Sequence, residues 1–185
     1  MKKILFITTT PTIGGNGDTL IEVAMESAKK KGAEVQRVDV RNKKIYSCKA
    51  CYKCKNNGKC VQEDDFAQLL ALIHESDGII AEAPIYYNCM TSQAITVIDR
   101  FCCTFCCPTY ELGPKKKVGV LLTCTGSSPE EMKRHVNNIL TLPSLQKSIE
   151  EFKTEVFTNC GSADSCLHNK EYLEHARMIG EWVAE

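Results

Sequence analysis

Three stretches of this chain are apolar or β-branched almost without interruption: ILFIT at residues 4–8, GIIA at 78–81 and VGVLLTC at 118–124. A strand with one wet face alternates apolar and polar residues, whereas a strand covered on both faces is apolar throughout. These runs therefore predict central strands of a parallel sheet. The segments between them carry apolar residues at helical spacing. Leu20, Val23, Ala24 and Ala28 predict a helix with Asp18 or Thr19 as its N-cap and Gly32 at its end. Phe66, Leu69, Leu70 and Ile73 predict a second helix, capped by Asp64 or Asp65. Further helices are expected from Thr91-Ser92 toward Phe101 and Phe105, over 130–145, and along a C-terminal face of Tyr172, Leu173, Ala176, Ile179 and Val183. Segments 34–40 and 153–158 bring the strands to five, the last at an edge.

Alternating strands and helices predict an α/β fold: a doubly wound, five-stranded parallel sheet in a three-layer α/β/α sandwich. A length of 185 residues suits one domain, 1–185, with a cysteine-rich insertion at about 46–63. Lysine and arginine (23) balance aspartate and glutamate (23), so no global field draws the chain to nucleic acid or an anionic membrane. The apolar run after Met1-Lys2-Lys3 is too short for a signal peptide or a membrane span, and the expected location is cytoplasmic.

In such sheets ligands lie beyond the carboxyl ends of the strands, at the point where strand order reverses. That directs attention to the loops 9–18, 84–92 and 123–128. The first, TTTPTIGGNGDT, sets hydroxyls and glycines before a helix start, where free N–H groups and the helix dipole favour a phosphate. It has neither the Gly-Lys-Ser/Thr of a Walker loop nor the G-x-G-x-x-G dinucleotide pattern.

Twelve cysteines are many for a reducing compartment, where clustered thiols more often bind metal or do redox work than form disulfides. Cys48, Cys51, Cys54 and Cys60 follow the spacing C-x2-C-x2-C-x5-C. Four thiolates so arranged suit a [4Fe-4S] cluster or zinc, the x2-x2 run favouring the cluster; the same loop can also stand as empty or disulfide-linked thiols. In FCCTFCCP, Cys102 with Cys106 and Cys103 with Cys107 fall at i and i+4. They read either as a second metal or redox patch or, preferably, as small buried side chains at a helix end or subunit contact. No H-x-x-H, H-E-x-x-H or G-x-S-x-G pattern supports a zinc enzyme or a serine hydrolase.

Thr10-Pro11 with Gly17-Asp18-Thr19, the cysteine segment closing on Asp64-Asp65, Pro84-Ile85-Tyr86, and Asp99-Arg100 occur in the order seen in one family. Together they resemble the flavodoxin-like NAD(P)H-dependent FMN reductases, and in particular their iron-sulfur flavoprotein branch. The likeness covers about the first hundred residues by motif and the remainder as fold pattern alone. It implies an FMN-dependent oxidoreductase or electron-transfer protein, with NAD(P)H as donor and electrons passing between a [4Fe-4S] cluster and FMN. No catalytic side chain is needed, because the flavin carries the chemistry.

By position, the resemblance sets Thr10, Thr12, Asp18 and Thr19 around the FMN phosphate. It sets Pro84, Ile85, Tyr86, Asn88 and Met90 along one edge of the ring, and Thr123, Thr125 and Gly126 at the neighbouring strand end. Cys48, Cys51, Cys54 and Cys60 become the metal ligands. Thr12 stands where the family has arginine, and Asp18 where it has asparagine. A carboxylate beside a phosphate is repulsive by ~1 kcal/mol or more. Either FMN binding weakens, or Asp18 turns outward as an N-cap and Asn16 takes the polar contact. The alternative reading is a non-catalytic metal-binding or interaction module that has lost FMN. Partners are expected to be small-molecule or protein electron donors and acceptors, and the family implies a homodimer or homotetramer.

Overall fold

The computed structural model describes residues 1–107, 109–110 and 113–185. Five parallel strands, β1 (Lys3–Thr8), β2 (Glu34–Asp39), β3 (Gly78–Tyr86), β5 (Lys116–Thr123) and β6 (Ile149–Phe157), form a sheet in the order β2-β1-β3-β5-β6. The order reverses between β1 and β3, which places the ligand crevice above the carboxyl ends of those two strands. Among the described residues the strands number six, the five expected parallel ones and one more. β3 runs on past the apolar core and folds back as β4 (Cys89–Met90), its antiparallel partner. The two residues of that hairpin, Tyr87 (φ 51°) and Asn88 (φ 57°), both take the left-handed conformation that a tight type I′ connection requires. Alternation cannot announce a two-residue strand, so the sequence carried no signal for it.

Both faces of the sheet are covered, as the apolar runs require. Ile4, Phe6, Ile80 and Leu121 point toward α1 (Asn16–Lys30) and α7 (Lys170–Ala184). Leu5, Ile7 and Ile79 meet α2 (Phe66–Glu75) and α3 (Ser92–Arg100), and Val118, Val120 and Leu122 meet α5 (Pro129–Leu140). α1 and α7 approach so closely that a Cβ on Gly180 would lie 2.2 Å from the carbonyl oxygen of Ala24.

Helix boundaries differ from expectation where local chemistry intervenes. α1 starts at Asn16, with Gly15 as its N-cap, so Asp18 lies inside the first turn instead of capping it. The helix expected over 130–145 stops at Leu140. Pro143 restricts the residue before it to extended conformations, and Leu142 is extended (ψ 135°) before the short α6 (Pro143–Gln146). α3 ends at Arg100, and α4 (Cys102–Cys106) follows as a separate turn and a half.

Candidate functional site

A polar cavity opens at the carboxyl ends of β1, β3 and β5, against the start of α1. α1 begins with no side-chain cap on its first N–H groups, so its positive end faces the cavity with donors to spare. Thr10, Thr12, Asn16, Pro84, Ile85, Tyr86, Thr123 and Thr125 line it, as the sequence motifs imply. Tyr86 is half exposed at the rim. Donors at one end and an apolar Pro84-Ile85-Tyr86 wall at the other fit a phosphate-bearing flat ring. Another cavity, between the sheet, α3 and α5, has walls such as Ile79, Val97, Val118 and Val136. Its lining is mostly apolar, and the Lys116 ammonium at its edge donates to the carbonyls of Ile73 (2.7 Å) and Ser76 (3.0 Å), so it reads as packing space.

Other expected residues stand outside the polar cavity's walls, each for a visible reason. The Thr19 hydroxyl donates to the carbonyl of Gly15 at 3.1 Å. Met90 is buried in the core beneath the hairpin. Asn88, at the hairpin tip, accepts from the Ser127 hydroxyl at 2.7 Å and so ties that tip to the loop containing the exposed Gly126. Asn16 does line the cavity, but its side chain is committed: Nδ2 donates to the Ser162 carbonyl (2.6 Å) and Oδ1 accepts from the Cys166 N–H (2.8 Å).

Asp18 is the main correction. It faces neither the cavity nor solvent. Its carboxylate accepts from Arg37 Nη2 (2.6 Å), from both terminal nitrogens of Arg41 (3.0 Å each), and from the Gly14 N–H (2.8 Å). Burial alone would raise its pKa, but the Arg41 hydrogen bond, the Gly14 N–H and the two guanidinium charges hold it below the ordinary carboxylate value. Arg41 also donates to the carbonyls of Thr10 and Thr12, so the Asp18–Arg41 pair braces the loop from behind. Nothing in the local sequence links Arg37 and Arg41 to that loop; strand pairing of β1 with β2 delivers them.

Glu82 was not anticipated either. It lies on β3, only 1% exposed, directly under the start of α1, where a Cβ on Gly17 would be 2.2 Å from its Oε1. Oε2 accepts from the Thr8 hydroxyl (2.8 Å) and the Thr10 N–H (3.3 Å), while Oε1 has no hydrogen-bond partner among the described residues. Burial raises its pKa to about 7, the nearby Asp18 charge adding to the rise and the Thr8 and Thr10 bonds opposing it. A charged residue inside an apolar strand run is the one signal that could have drawn notice.

The cysteine segment forms a second, separate pocket. Cys48, Cys51, Cys54 and Cys60 line it together with Cys102, Cys103, Cys106 and Arg100. The loop is wound tightly: Ala50 (φ 50°) and Tyr52 (φ 55°) are left-handed, a costly state for residues with a Cβ, and the Ala50 N–H points to Cys48 Sγ at 3.4 Å. Its two ends are clamped. The Tyr46 and Lys44 N–H groups bond the carboxylates of Asp64 and Asp65, and Arg100 reaches both Asp64 and the Tyr46 carbonyl. Of the FCCTFCCP cysteines, Cys103 and Cys107 are buried, as a packing role requires, but Cys103 also lines the cysteine pocket. Cys102 and Cys106, half-buried with sulfurs 3.5 Å apart, turn into the cysteine pocket. Burial and neighbouring thiols push Cys102 up to about 11 and Cys103 to about 12. A soft-sulfur lining suits a thiolate-bound group in its chemistry, although among the described residues no three ligating side chains stand close enough to hold a single ion.

Comparison with known proteins agrees with this architecture. A family model described as NADPH-dependent FMN reductase matches residues 2–148. The chain belongs to that family. Within the FMN reductases it falls in the iron-sulfur flavoprotein branch. An iron-sulfur flavoprotein of Archaeoglobus fulgidus is 34% identical over 139 residues, 75% of this chain and 62% of that protein. One from Methanocaldococcus jannaschii is 31% identical over 191 aligned positions, covering 99% of this chain and 96% of its own. This FMN reductase relative thus spans less than two thirds of the Archaeoglobus protein but nearly all of the Methanocaldococcus one. Solved structures share its fold. A flavone reductase superposes with a TM-score of 0.72 at 23% identity, over 98% of this chain and 62% of that one. An NAD(P)H:quinone oxidoreductase from Methanothermobacter marburgensis gives 0.71 at 13%, over 97% and 98%. Among the described residues no helix is long and apolar enough to cross a membrane.

Proposed function

We propose that the protein is an FMN-dependent oxidoreductase that takes electrons from NAD(P)H or a reduced protein donor and passes them to a small-molecule or protein acceptor. The observation that carries this reading is the polar cavity itself, with the uncapped start of α1 at one end and the Pro84-Ile85-Tyr86 wall at the other. FMN, when bound, supplies hydride-accepting and single-electron chemistry. The chain's part is binding and orientation. The α1 N–H groups and the Thr10 and Thr12 hydroxyls hold the phosphate, Pro84, Ile85 and Tyr86 lie along the ring, and Thr123 and Thr125 approach from the end of β5. The reading in which Asp18 repels FMN loses its premise, since that carboxylate is taken up by Arg37 and Arg41.

Cys48, Cys51, Cys54 and Cys60 are assigned as ligands of a [4Fe-4S] cluster, which would serve as a one-electron partner to the flavin. Support comes from their shared pocket, from the left-handed turns that wind the loop, and from the names of the relatives. The single-domain chain is assigned to a homodimer or homotetramer, a cytoplasmic setting completing the reading. An anaerobic absorption spectrum of fresh or reconstituted protein tests both cofactors at once. Flavin bands with a broad iron–sulfur shoulder, and iron with acid-labile sulfide in stoichiometric amount, are expected. Absence of flavin binding at tens of micromolar FMN would return the protein to the class of non-catalytic modules.

A further inference from the structure

Cys160 and Cys166 belong to neither the cysteine segment nor its pocket. Their sulfurs lie 3.6 Å apart across the turn that follows β6. Cys160 is half-buried and forms part of the wall of the polar cavity, whereas Cys166 is fully buried behind it. The turn between them is fastened on both sides. The Cys160 N–H donates to the Cys124 carbonyl at 3.0 Å, and the side chain of Asn16, the first residue of α1, holds Ser162 and Cys166. Cys160 thus borders the cavity, its sulfur held by the Phe157 (3.2 Å) and Thr158 (3.4 Å) carbonyls, with the sheltered Cys166 sulfur already in van der Waals range.

We propose that Cys160 and Cys166 form a redox modification site in the wall of the cofactor cavity, in which a hydroperoxide oxidises Cys160 and Cys166 then closes an intramolecular disulfide. The two environments suit these roles. A hydrogen bond from Cys166 lowers the Cys160 pKa against the opposing effect of burial, and that same bond, with burial, raises Cys166. The thiolate form is the nucleophile. In the first step Cys160 Sγ attacks the terminal peroxide oxygen and the O–O bond breaks. An alcohol, or water when the oxidant is hydrogen peroxide, leaves with a proton, and Cys160 becomes a sulfenic acid. In the second step Cys166 Sγ attacks that sulfur, its proton goes to the departing hydroxide, and the S–S bond forms as S–O breaks. Two thiols and one hydroperoxide become one disulfide, one alcohol and one water. A dithiol reductant reverses the change with two electrons and two protons. The sulfurs must close from 3.6 Å to about 2.05 Å, a side-chain rotation with a small shift of the turn.

Because Asn16 joins this turn to the start of α1, the state of the pair is mechanically linked to the phosphate end of the cavity. That link rests on the reading of the cavity as the FMN site. The chemistry of the pair does not.

The test uses the full chain, reduced and then exposed to stoichiometric hydrogen peroxide, with free thiols alkylated and the peptides mapped by mass spectrometry. A Cys160–Cys166 cross-link reversible by dithiothreitol is expected. In Cys166→Ser, dimedone should capture a sulfenic acid at Cys160, while in Cys160→Ser no label should appear at Cys166. If Cys160 stays alkylatable while other thiols oxidise, or if it is recovered joined to Cys124, the proposal is overturned. FMN at ten times its Kd, with binding read separately by flavin fluorescence, should slow Cys160 oxidation about tenfold if oxidation needs an open cavity. A cross-link that forms at the same rate with FMN bound overturns the placement in the cofactor wall, and a failed FMN titration overturns the cavity reading alone.

Discussion

The guanidinium of Arg100, at the end of α3, and the carboxylate of Asp64, at the end of the cysteine segment, form a two-point ion pair with side chains 1% and 0% exposed. Burial costs both ions, and the geometry compensates. Arg100 also donates to the Tyr46 carbonyl at 2.8 Å and lies over the Phe66 ring, while Asp64 accepts from the Tyr46 and Phe66 N–H groups. Tyr46 and Asp64 bound the cysteine loop, so one side chain closes it at both ends. This is the physical content of the D-D and D-R motifs.

Breaking that pair from one side should be costly, because the partner is left charged and buried. Arg100→Ala is expected to lose about 3–5 kcal/mol of unfolding free energy, seen as a lower urea midpoint at unchanged slope. Arg100→Met combined with Asp64→Leu should recover much of the loss. A double variant as unstable as the single one would show that the pair is not the clamp.

Glu82 makes stability pH-dependent in a definite direction. Its folded pKa, about 7, lies above the ordinary 4.5, so the folded state holds the proton more tightly than the unfolded chain. Stability should therefore fall as pH rises from about 4.5 to about 7, by roughly 3 kcal/mol in all. Glu82→Gln should flatten thermal stability across this window. Because Glu82 lies under the phosphate end of the cavity, the same variant should weaken the pH dependence of FMN affinity. Parallel curves for wild type and variant would refute the assignment.

Asp18→Asn restores the asparagine of the family pattern, and charge arithmetic at the phosphate alone would predict tighter FMN binding. The structure predicts the opposite. Losing the charge that pairs Arg37 and Arg41 should cost about 3 kcal/mol, loosen the loop that Arg41 braces, and weaken FMN binding in a fluorescence titration. Since the Asp18 pKa is depressed, its contribution is present above the unfolded value of 3.8 and fades as pH falls through the lower folded value.

The two pockets share no lining residue. Cys51→Ser should accordingly abolish iron and acid-labile sulfide after anaerobic reconstitution while leaving the FMN dissociation constant within about twofold of wild type, a change of under ~0.5 kcal/mol. Joint loss of iron and flavin would mean that the cysteine loop supports the cavity directly.

Gly180→Ala tests packing against propensity. Alanine favours an exposed helix by up to ~1 kcal/mol, yet here its Cβ would meet the Ala24 carbonyl and the Ser27 hydroxyl at 2.2 Å. A net destabilisation of about 1–3 kcal/mol is expected, measured by chemical denaturation.

The layered fold, the central strands and the loops of the site were legible in the chain because burial on both sides leaves a local mark: apolar runs of strand length, helical spacing between them, and glycine and hydroxyl residues where strands end. Thr10, Thr12, Pro84, Ile85, Tyr86, Thr123 and Thr125, which line the cavity, were named individually only through the family resemblance. Tertiary structure decided which charges meet. Asp18 finds Arg37 and Arg41 only because β2 pairs with β1, Arg100 finds Asp64 only because α3 returns beside the cysteine loop, and Glu82 comes to lie beneath Gly17 only when the sheet closes under α1. The turn that carries Cys160 and Cys166 is likewise fastened to the start of α1 by Asn16, some 150 residues away in sequence. Backbone periodicity is a short-range property, whereas the partner and burial of an ionisable group are set by chain segments far from it, and on these its chemistry depends.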